Sequence, residues 1–487
     1  MTLDPEICWR AWSSRDRRFE GCFFAGVTST GIYCRPGCPA RLPARRNVRF
    51  YDSAAAAEAA GFRPCLRCRP ETTRGSAAAQ GTSATVARAL RLIDEGLMDG
   101  GSVEQLAGRL GVTSRWLRQL FTEQVGASPL EVAMTRRVHF ARRLLDETTL
   151  PLADVAAAAG FGSARRLRHA IHETFRRPPS ELRRSGAGRD GAPLSLRVPA
   201  RAPFDAAPLL AFLAARAIPG VEEVSGRCYR RTTRLEGAPA TVEIEASAGE
   251  AFVTLTASPA PPRALLPLVA RAARLFDLDA DAAAIAAALG RDPMLRPAVR
   301  GGVRVPGAWD PFELVVRALL GQQVSVAAAR TLAGRLVAAC GTPLPAPRGA
   351  LTHLFPAPAA IADAPLERLG LTRARAASLR AMARAVADGS LDLGALGDLE
   401  QARARLTALP GVGEWTAQYV AMRALREPDA FPAGDLGLRR ALARGHRLPA
   451  ERDVLARAER WRPWRAYATI ALWNHEAAAR RPRKERS

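Results

Sequence analysis

The chain has 487 residues, 71 of them basic and 47 acidic, for a net charge of +24 at pH 7. At ~150 residues per domain that length predicts about three domains and excludes one small fold. The charge calls for a polyanionic partner, nucleic acid before an acidic membrane surface. An apolar fraction of 48% beside 24% charged residues excludes a disordered chain. The opening MTLDPEICWR has no apolar signal core, and no run approaches ~18 apolar residues, so a cytoplasmic protein without a membrane partner is expected.

Six of the eight cysteines (Cys8, Cys22, Cys34, Cys38, Cys65, Cys68) fall in the first 68 residues. In a reducing compartment such clustering predicts metal binding before disulfides. Cys34-Arg-Pro-Gly-Cys38 and Cys65-Leu-Arg-Cys68 offer four thiolates in two close pairs, a set that suits one closed tetrahedral Zn²⁺ site. Taken alone, the four cysteines read as a structural zinc knot. Cys8 and Cys22 lack pair spacing and read as buried apolar residues. The polar runs near Pro70–Ser76 and Arg184–Gly191 read as joints.

The residues around the cysteines, STGIYCRPGCPAR and AGFRPCLRC, resemble the methyl-acceptor domain of Ada-type DNA repair proteins. The resemblance implies that Cys34 takes a methyl group from a methylated phosphate triester of DNA, with Thr30, Arg41 and Arg63 beside the phosphate. Four thiolates around Zn²⁺ carry a net charge of −2, and methylation of Cys34 lowers it to −1. Removing one charge ~5 Å from a phosphate is worth about 1 to 3 kcal/mol at dielectric constants of ~80 to ~20. That corresponds to roughly a 5- to 200-fold gain in DNA affinity. Pro64-Cys65-Leu66-Arg67 belongs to this zinc site and is not the PCHR of a methylguanine methyltransferase.

Between the joints the pattern is helical. Ser102–Phe121 has the apolar spacing of two short helices around a glycine turn at Gly111, with Ser102 and Ser114 as natural N-caps. Pro151–Arg168 repeats that grammar 49 residues later, with Gly160 in the turn and a helix Pro129–Asp146 between the two units. With Ala159, Gly160, Phe161 and Ser163, the pair resembles the double helix-turn-helix of AraC-type regulators. Each second helix would then enter a major groove, with Arg115, Arg118, Arg165, Arg166 and Arg168 toward DNA. His169 and His172 lack a third ligand and read as exposed.

After the second joint, SLRVPA, CYRRTTRL, ATVEIEA and AFVTLTA alternate as strands of a small antiparallel sheet, with a helix Leu209–Ala217 against it. From Trp309 to Trp473 the pattern is helical. Within it, Leu406–Ala417 reads as a helix, a Pro-Gly hairpin and a new helix. Gly411 and Gly413 free backbone N–H groups to face an anion such as a DNA phosphate. LPGVGEWTA, followed 22 residues after Gly413 by Asp435, resembles the helix-hairpin-helix glycosylases and, among them, the AlkA-type 3-methyladenine DNA glycosylases.

That resemblance implies a base pocket of Trp415, Tyr419, Trp473 and Phe212, and a catalytic carboxylate at Asp435. It also puts a wedge into the DNA gap at Gln323. The residue types fit the chemistry: a carboxylate stabilises an oxocarbenium-like sugar, and electron-rich rings stack on a flipped cationic purine. Asp435 is expected to cap the helix LGLRRAL as well. Lys484 is the only lysine, and Trp415 stands where lyase relatives carry their Schiff-base lysine, which excludes a lysine lyase step. The hairpin carbonyls are also a candidate site for a monovalent cation.

The expectation is a multidomain protein. It comprises a small α+β zinc domain (1–75), an all-α double helix-turn-helix domain (76–185), an α+β sheet subdomain (192–300), an all-α helix-hairpin-helix glycosylase domain (301–476) and a basic tail (477–487). Its function is alkylation-damage repair and response: a single-turnover methyl acceptor joined to a monofunctional glycosylase. The expected partners are damaged and promoter double-stranded DNA and RNA polymerase, in a bacterial cytoplasm beside the nucleoid. The alternatives are a non-enzymatic activator whose glycosylase-like half only binds damage, and an architectural DNA binder with structural zinc.

Overall fold

The computed structural model describes residues 4–70, 84–183, 194–394, 396, 399–443 and 447–480. Apart from Pro70, the expected joints lie outside these residues, as does Lys484. The helix Arg465–Arg480 includes the first positions assigned to the tail. Two compact units divide the chain: Met1–Arg201 with Ala251–Ala273 and Leu278–Asp281, and Ala202–Glu250 with Arg274–Asp277 and Ala282–Ser487.

In the first unit the apolar strand Phe24–Val27 is buried along its whole length and lies between Val48–Tyr51 and Ile32–Cys34, both antiparallel to it. A short fourth strand, Arg63–Pro64, runs parallel to Ile32–Cys34, pairing Ile32 with Arg63 and Tyr33 with Pro64. That register sets the next residues on each side, Cys34 and Cys65, next to one another. Cys8, Trp12, Phe23 and Val48 fill the core around the cysteines.

The double helix-turn-helix follows its expected grammar. Val103–Leu110 begins at a Ser102 capping box, and Leu152–Ala158 opens the second unit. Gly111 and Gly160 both take the left-handed conformation, with φ of 71° and 76°, which glycine adopts without a Cβ penalty. One cap differs from expectation: Thr113, not Ser114, accepts the N–H of Trp116, and Ser114 is the first helical residue. In the second unit Ser163 caps Ala164–Phe175 as its spacing implies. That helix ends at Arg176 in a left-handed C-cap, and a short helix Pro179–Leu182 follows.

The connecting helix Pro129–Glu147 carries the zinc domain. Glu58 accepts hydrogen bonds from Tyr33 Oη at 2.9 Å and Thr135 Oγ1 at 2.6 Å, and His139 Nε2 lies 2.8 Å away. Arg69, directly after Cys68, pairs with buried Asp146 on the same helix. Burial alone would raise the Glu58 carboxyl, but the facing His139 and the three hydrogen bonds outweigh it and hold the group below the usual carboxylate range. A depressed carboxylate stabilises the fold above its unfolded pKa of about 4.3 and loses that contribution as pH falls through the folded value. Thermal melts from pH 7 to pH 3 should therefore show wild type losing more stability on acidification than Glu58→Gln. Parallel losses would remove Glu58 from this role.

In the second unit Glu222–Ser225, Cys228–Leu235 and Ala238–Ala246 form consecutive antiparallel pairs, with the helix Ala207–Arg216 packed on the first two. The strand Glu222–Ser225 had no alternation long enough to signal it. The other two expected strands, Ser195–Pro199 and Phe252–Ser258, pair with each other in the first unit. The run expected to be helical from Trp309 is interrupted by the hairpin of Thr342–Arg348 and Leu351–Leu354. Its prolines mask the strand pattern, since proline enters a ladder only at edges and irregular positions.

Buried ion pairs tie the helix Pro311–Leu320 to the sheet. Arg231 meets Glu313 at 2.7 Å, and Arg317 bridges Glu313 and Glu222. This helix ends at the turn that carries Gln323. Its apolar face joins a core with the helices Val326–Cys340, Arg373–Ala387, Leu399–Thr407 and Glu414–Arg423.

Candidate functional site

Cys34, Cys38, Cys65 and Cys68 are brought together in the first unit, their Sγ atoms all within 4.8 Å of one another. The parallel register supplies one cysteine of each pair, and tight turns supply the others: Cys38 N–H donates to Arg35 O and Arg69 N–H to Cys65 O. All four are buried. Hydrogen bonding from Cys34 is the main influence that holds the Cys38 thiol down to about 7 and the Cys65 thiol below its ordinary value. Four buried sulfurs that converge in this way fit a divalent soft-ligand cation, and the donor set fits zinc.

Exposure does not single out Cys34, which at 4% is as buried as Cys38. Thr30 and Arg41 are exposed, and Arg63 stands in register with Ile32, two residues from Cys34. Cys8 is buried as expected, whereas Cys22 is only partly so.

Arg115, Arg165, Arg166 and Arg168 are exposed on the second helices of the two helix-turn-helix units. Arg118 is exposed too, but bonds Glu104 at 2.7 Å, an internal pair that a phosphate would have to displace. Trp116 was missed in the sequence. It is 44% exposed beside Arg115, because Leu117 and Phe121 take the buried face of that helix. Its position off their spacing was the available signal.

In the second unit the chain between Trp415 and Asp435, 20 positions apart, folds back so that Trp415 Nε1 donates to Asp435 Oδ2 at 3.0 Å. Trp473 Nε1 donates to Oδ1 at 2.9 Å, and the same oxygen caps Leu436–Ala441 by accepting from Leu438 N–H. Trp415 stacks on Tyr419 with centroids 5.3 Å apart, and Phe212 on Trp473 at 6.3 Å. The four rings and the carboxylate thus form one cluster, drawn from helices distant in sequence.

Two guanidiniums that the sequence did not signal complete the cluster. Arg216 lies 3.7 Å from the Phe212 ring centre. Arg423 donates to Tyr419 Oη and to the carbonyls of Pro306 and Gly307. Burial would raise the Tyr419 phenol, but Arg423 and Arg216 outweigh it and lower the group.

Beside the cluster, Gly411 has φ of 77°, and a Cβ there would lie 2.1 Å from Ser378 Oγ, so no other residue fits. Gly413 has an ordinary φ of −90° and open space around it at the start of Glu414–Arg423. Nothing inside the protein demands glycine there. A Cβ at Gly413 would meet no neighbour, so the start of Glu414–Arg423 is open on that side.

Residues 7–71 match the metal-binding domain of Ada, 106–185 a helix-turn-helix domain, 195–310 the AlkA N-terminal domain, and 316–466 the HhH-GPD superfamily of base excision DNA repair proteins. Over 491 aligned residues the chain is 46% identical to a probable bifunctional transcriptional activator/DNA repair enzyme of Mycobacterium tuberculosis, covering 97% of each chain. It belongs to that family.

The second part is 36% identical to DNA-3-methyladenine glycosylase 2 of Escherichia coli over 281 residues, 56% of this chain and 95% of that one. A 3-methyladenine DNA glycosylase from Archaeoglobus fulgidus shares the fold at a TM-score of 0.51 and 23% identity, covering 58% of this chain and 98% of that one. The family's helix-turn-helix and base-excision domains make DNA the binding partner. No helix among the described residues is long and apolar enough to cross a membrane.

Proposed function

We propose that this chain repairs alkylated DNA in two ways and reports the damage. The carrying observation is the carboxylate of Asp435, held by two indole N–H groups inside an aromatic cluster. That arrangement suits hydrolysis of the glycosidic bond of a flipped, cationic alkylated purine such as 3-methyladenine. Trp415, Tyr419, Trp473 and Phe212 stack on the base, while Asp435 faces the sugar as positive charge develops on it. Gly411 and Gly413 present N–H groups to the backbone, and Gln323 enters the gap left by the base. Gly411 O already accepts from Gln322 at 2.8 Å, so a monovalent cation at the hairpin would use neighbouring carbonyls.

In the zinc domain, Cys34 Sγ attacks the methyl carbon of a methylphosphotriester. The S–C bond forms as the C–O bond breaks, and the phosphodiester leaves as an anion beside Thr30, Arg41 and Arg63. Bound zinc keeps the cysteine sulfur deprotonated at neutral pH. A thioether is not hydrolysed back, so each chain reacts once.

The domain limits 1–75, 76–185, 192–300 and 301–476 are part of this reading. So are promoter binding through Arg115, Arg118, Arg165 and Arg166, contact with RNA polymerase, and a cytoplasmic, nucleoid-associated location. One experiment tests both chemistries: incubation with methylated DNA, then mass measurement of the protein and chromatography of released bases. An added methyl without free base would leave a damage-binding activator. Neither product would leave an architectural binder.

The charge change predicts a measurable switch. Methylated protein should bind promoter DNA about 5- to 200-fold more tightly than unmethylated protein at low salt, and the gain should shrink as salt is raised. Equal affinities at low salt would refute an electrostatic origin.

A further inference from the structure

The turn between Pro311–Leu320 and Val326–Cys340 holds Gln323 at φ of 57°, exposed, with Val324 and Val326 exposed beside it. A left-handed conformation strains a residue other than glycine and persists only where its surroundings fix it. The neighbouring Gln322 supplies such a fixture. Its Nε2 donates to Gly411 O at 2.8 Å and to Thr416 Oγ1 at 3.0 Å, both in the hairpin segment. Its own carbonyl accepts from Arg375 Nη2 at 2.6 Å. Ser378, one turn further along the same helix, is the residue that packs against Gly411. The wedge turn and the hairpin are thus joined directly by Gln322 and a second time through one face of Arg373–Ala387.

Extruding a base needs one element to hold the backbone while another fills the vacated stack. If the two elements slide past each other, the wedge relaxes instead of displacing the base. We infer that Gln322 is a positioning residue that locks the wedge turn to the phosphate-holding hairpin, so that the two act on DNA as one body. The inference rests on the glycosylase reading above and extends it to a residue that touches neither base nor sugar. A side chain that serves only packing would, when removed, weaken the protein toward every DNA alike. A coupling residue matters only where a base must be levered out of a pair.

The test compares wild type and Gln322→Ala in the full chain on two DNAs: a paired duplex with one methylated purine, and the same purine in a single-nucleotide bulge, where unpairing is already done. Single-turnover base release by Gln322→Ala should fall about tenfold or more on the paired duplex and stay within about threefold of wild type on the bulge, as expected for two lost hydrogen bonds that act through extrusion. Thr416→Val, which removes one acceptor, should show a smaller loss with the same rescue, and it carries the test if Gln322→Ala fails to fold. Equal losses on both DNAs, or none, would overturn the coupling alone. A wild-type protein that releases no base from either DNA would overturn the glycosylase reading and the coupling with it.

Discussion

Asp435→Asn is expected to slow release of alkylated purines by about 100-fold or more, the scale of removing a preorganised electrostatic partner, while DNA binding survives. Asparagine keeps the side-chain oxygen that caps Leu438 N–H, so the helix start is preserved. It loses the negative charge, and it turns an N–H₂ toward one of the two indoles that now donate to the carboxylate. The second effect can be separated from the first. Trp473→Phe keeps an aromatic ring but deletes one donor, and it should cost less than the charge change and alter base selectivity more.

Two carboxylates near Asp435 in sequence, Glu414 and Asp429, are already engaged by other side chains. Glu414 is held by Arg403 and Gln418, and Asp429 by Arg462 and Arg465. A folded Asp435→Asn that releases base at the wild-type rate would reduce Asp435 to a helix cap.

Wild-type protein exposed to methylphosphotriester DNA should gain one methyl group per chain, on Cys34, and Cys34→Ala should gain none. Peptide mass spectrometry checks both, and a methyl on Cys38, Cys65 or Cys68, or turnover above one per chain, would sink the assignment. The same cluster predicts a stability effect. Its four sulfurs lie within the core that also contains Cys8, Trp12 and Phe23, so stripping the metal leaves crowded thiols in place of bonded ligands. A chelator should therefore lower the melting temperature of wild type and lower it much less in Cys34→Ala, whose site is already incomplete. Equal shifts in the two proteins would separate the metal from this cluster.

How much was legible in the sequence depended on the range of the interaction. The cysteine pairs, the glycine turns at Gly111 and Gly160, the Ser102 and Ser163 caps and the hairpin around Gly411 are local, and spacing alone announces them. The short strand Glu222–Ser225 and the Pro-rich pair after Thr342 were not legible, because four residues or alternating prolines carry no periodic signal. Ser114 was displaced as a cap by its neighbour Thr113, a one-residue choice that backbone geometry decides.

By itself the sequence determined which chemical groups this protein has: four paired thiolates, a single remote lysine, a carboxylate 22 residues beyond a glycine hairpin, and a large positive charge. The tertiary structure alone decided what those groups do to one another. A parallel register set Cys34 beside Cys65, and both indoles turned their N–H groups onto Asp435. Half-buried Arg216 and buried Arg423 entered the aromatic cluster, and Gln322 bound the wedge turn to the hairpin. Each of these contacts joins residues distant in the chain. Their strength depends on burial and on hydrogen-bond geometry of a few ångströms, neither of which is written in the order of the residues.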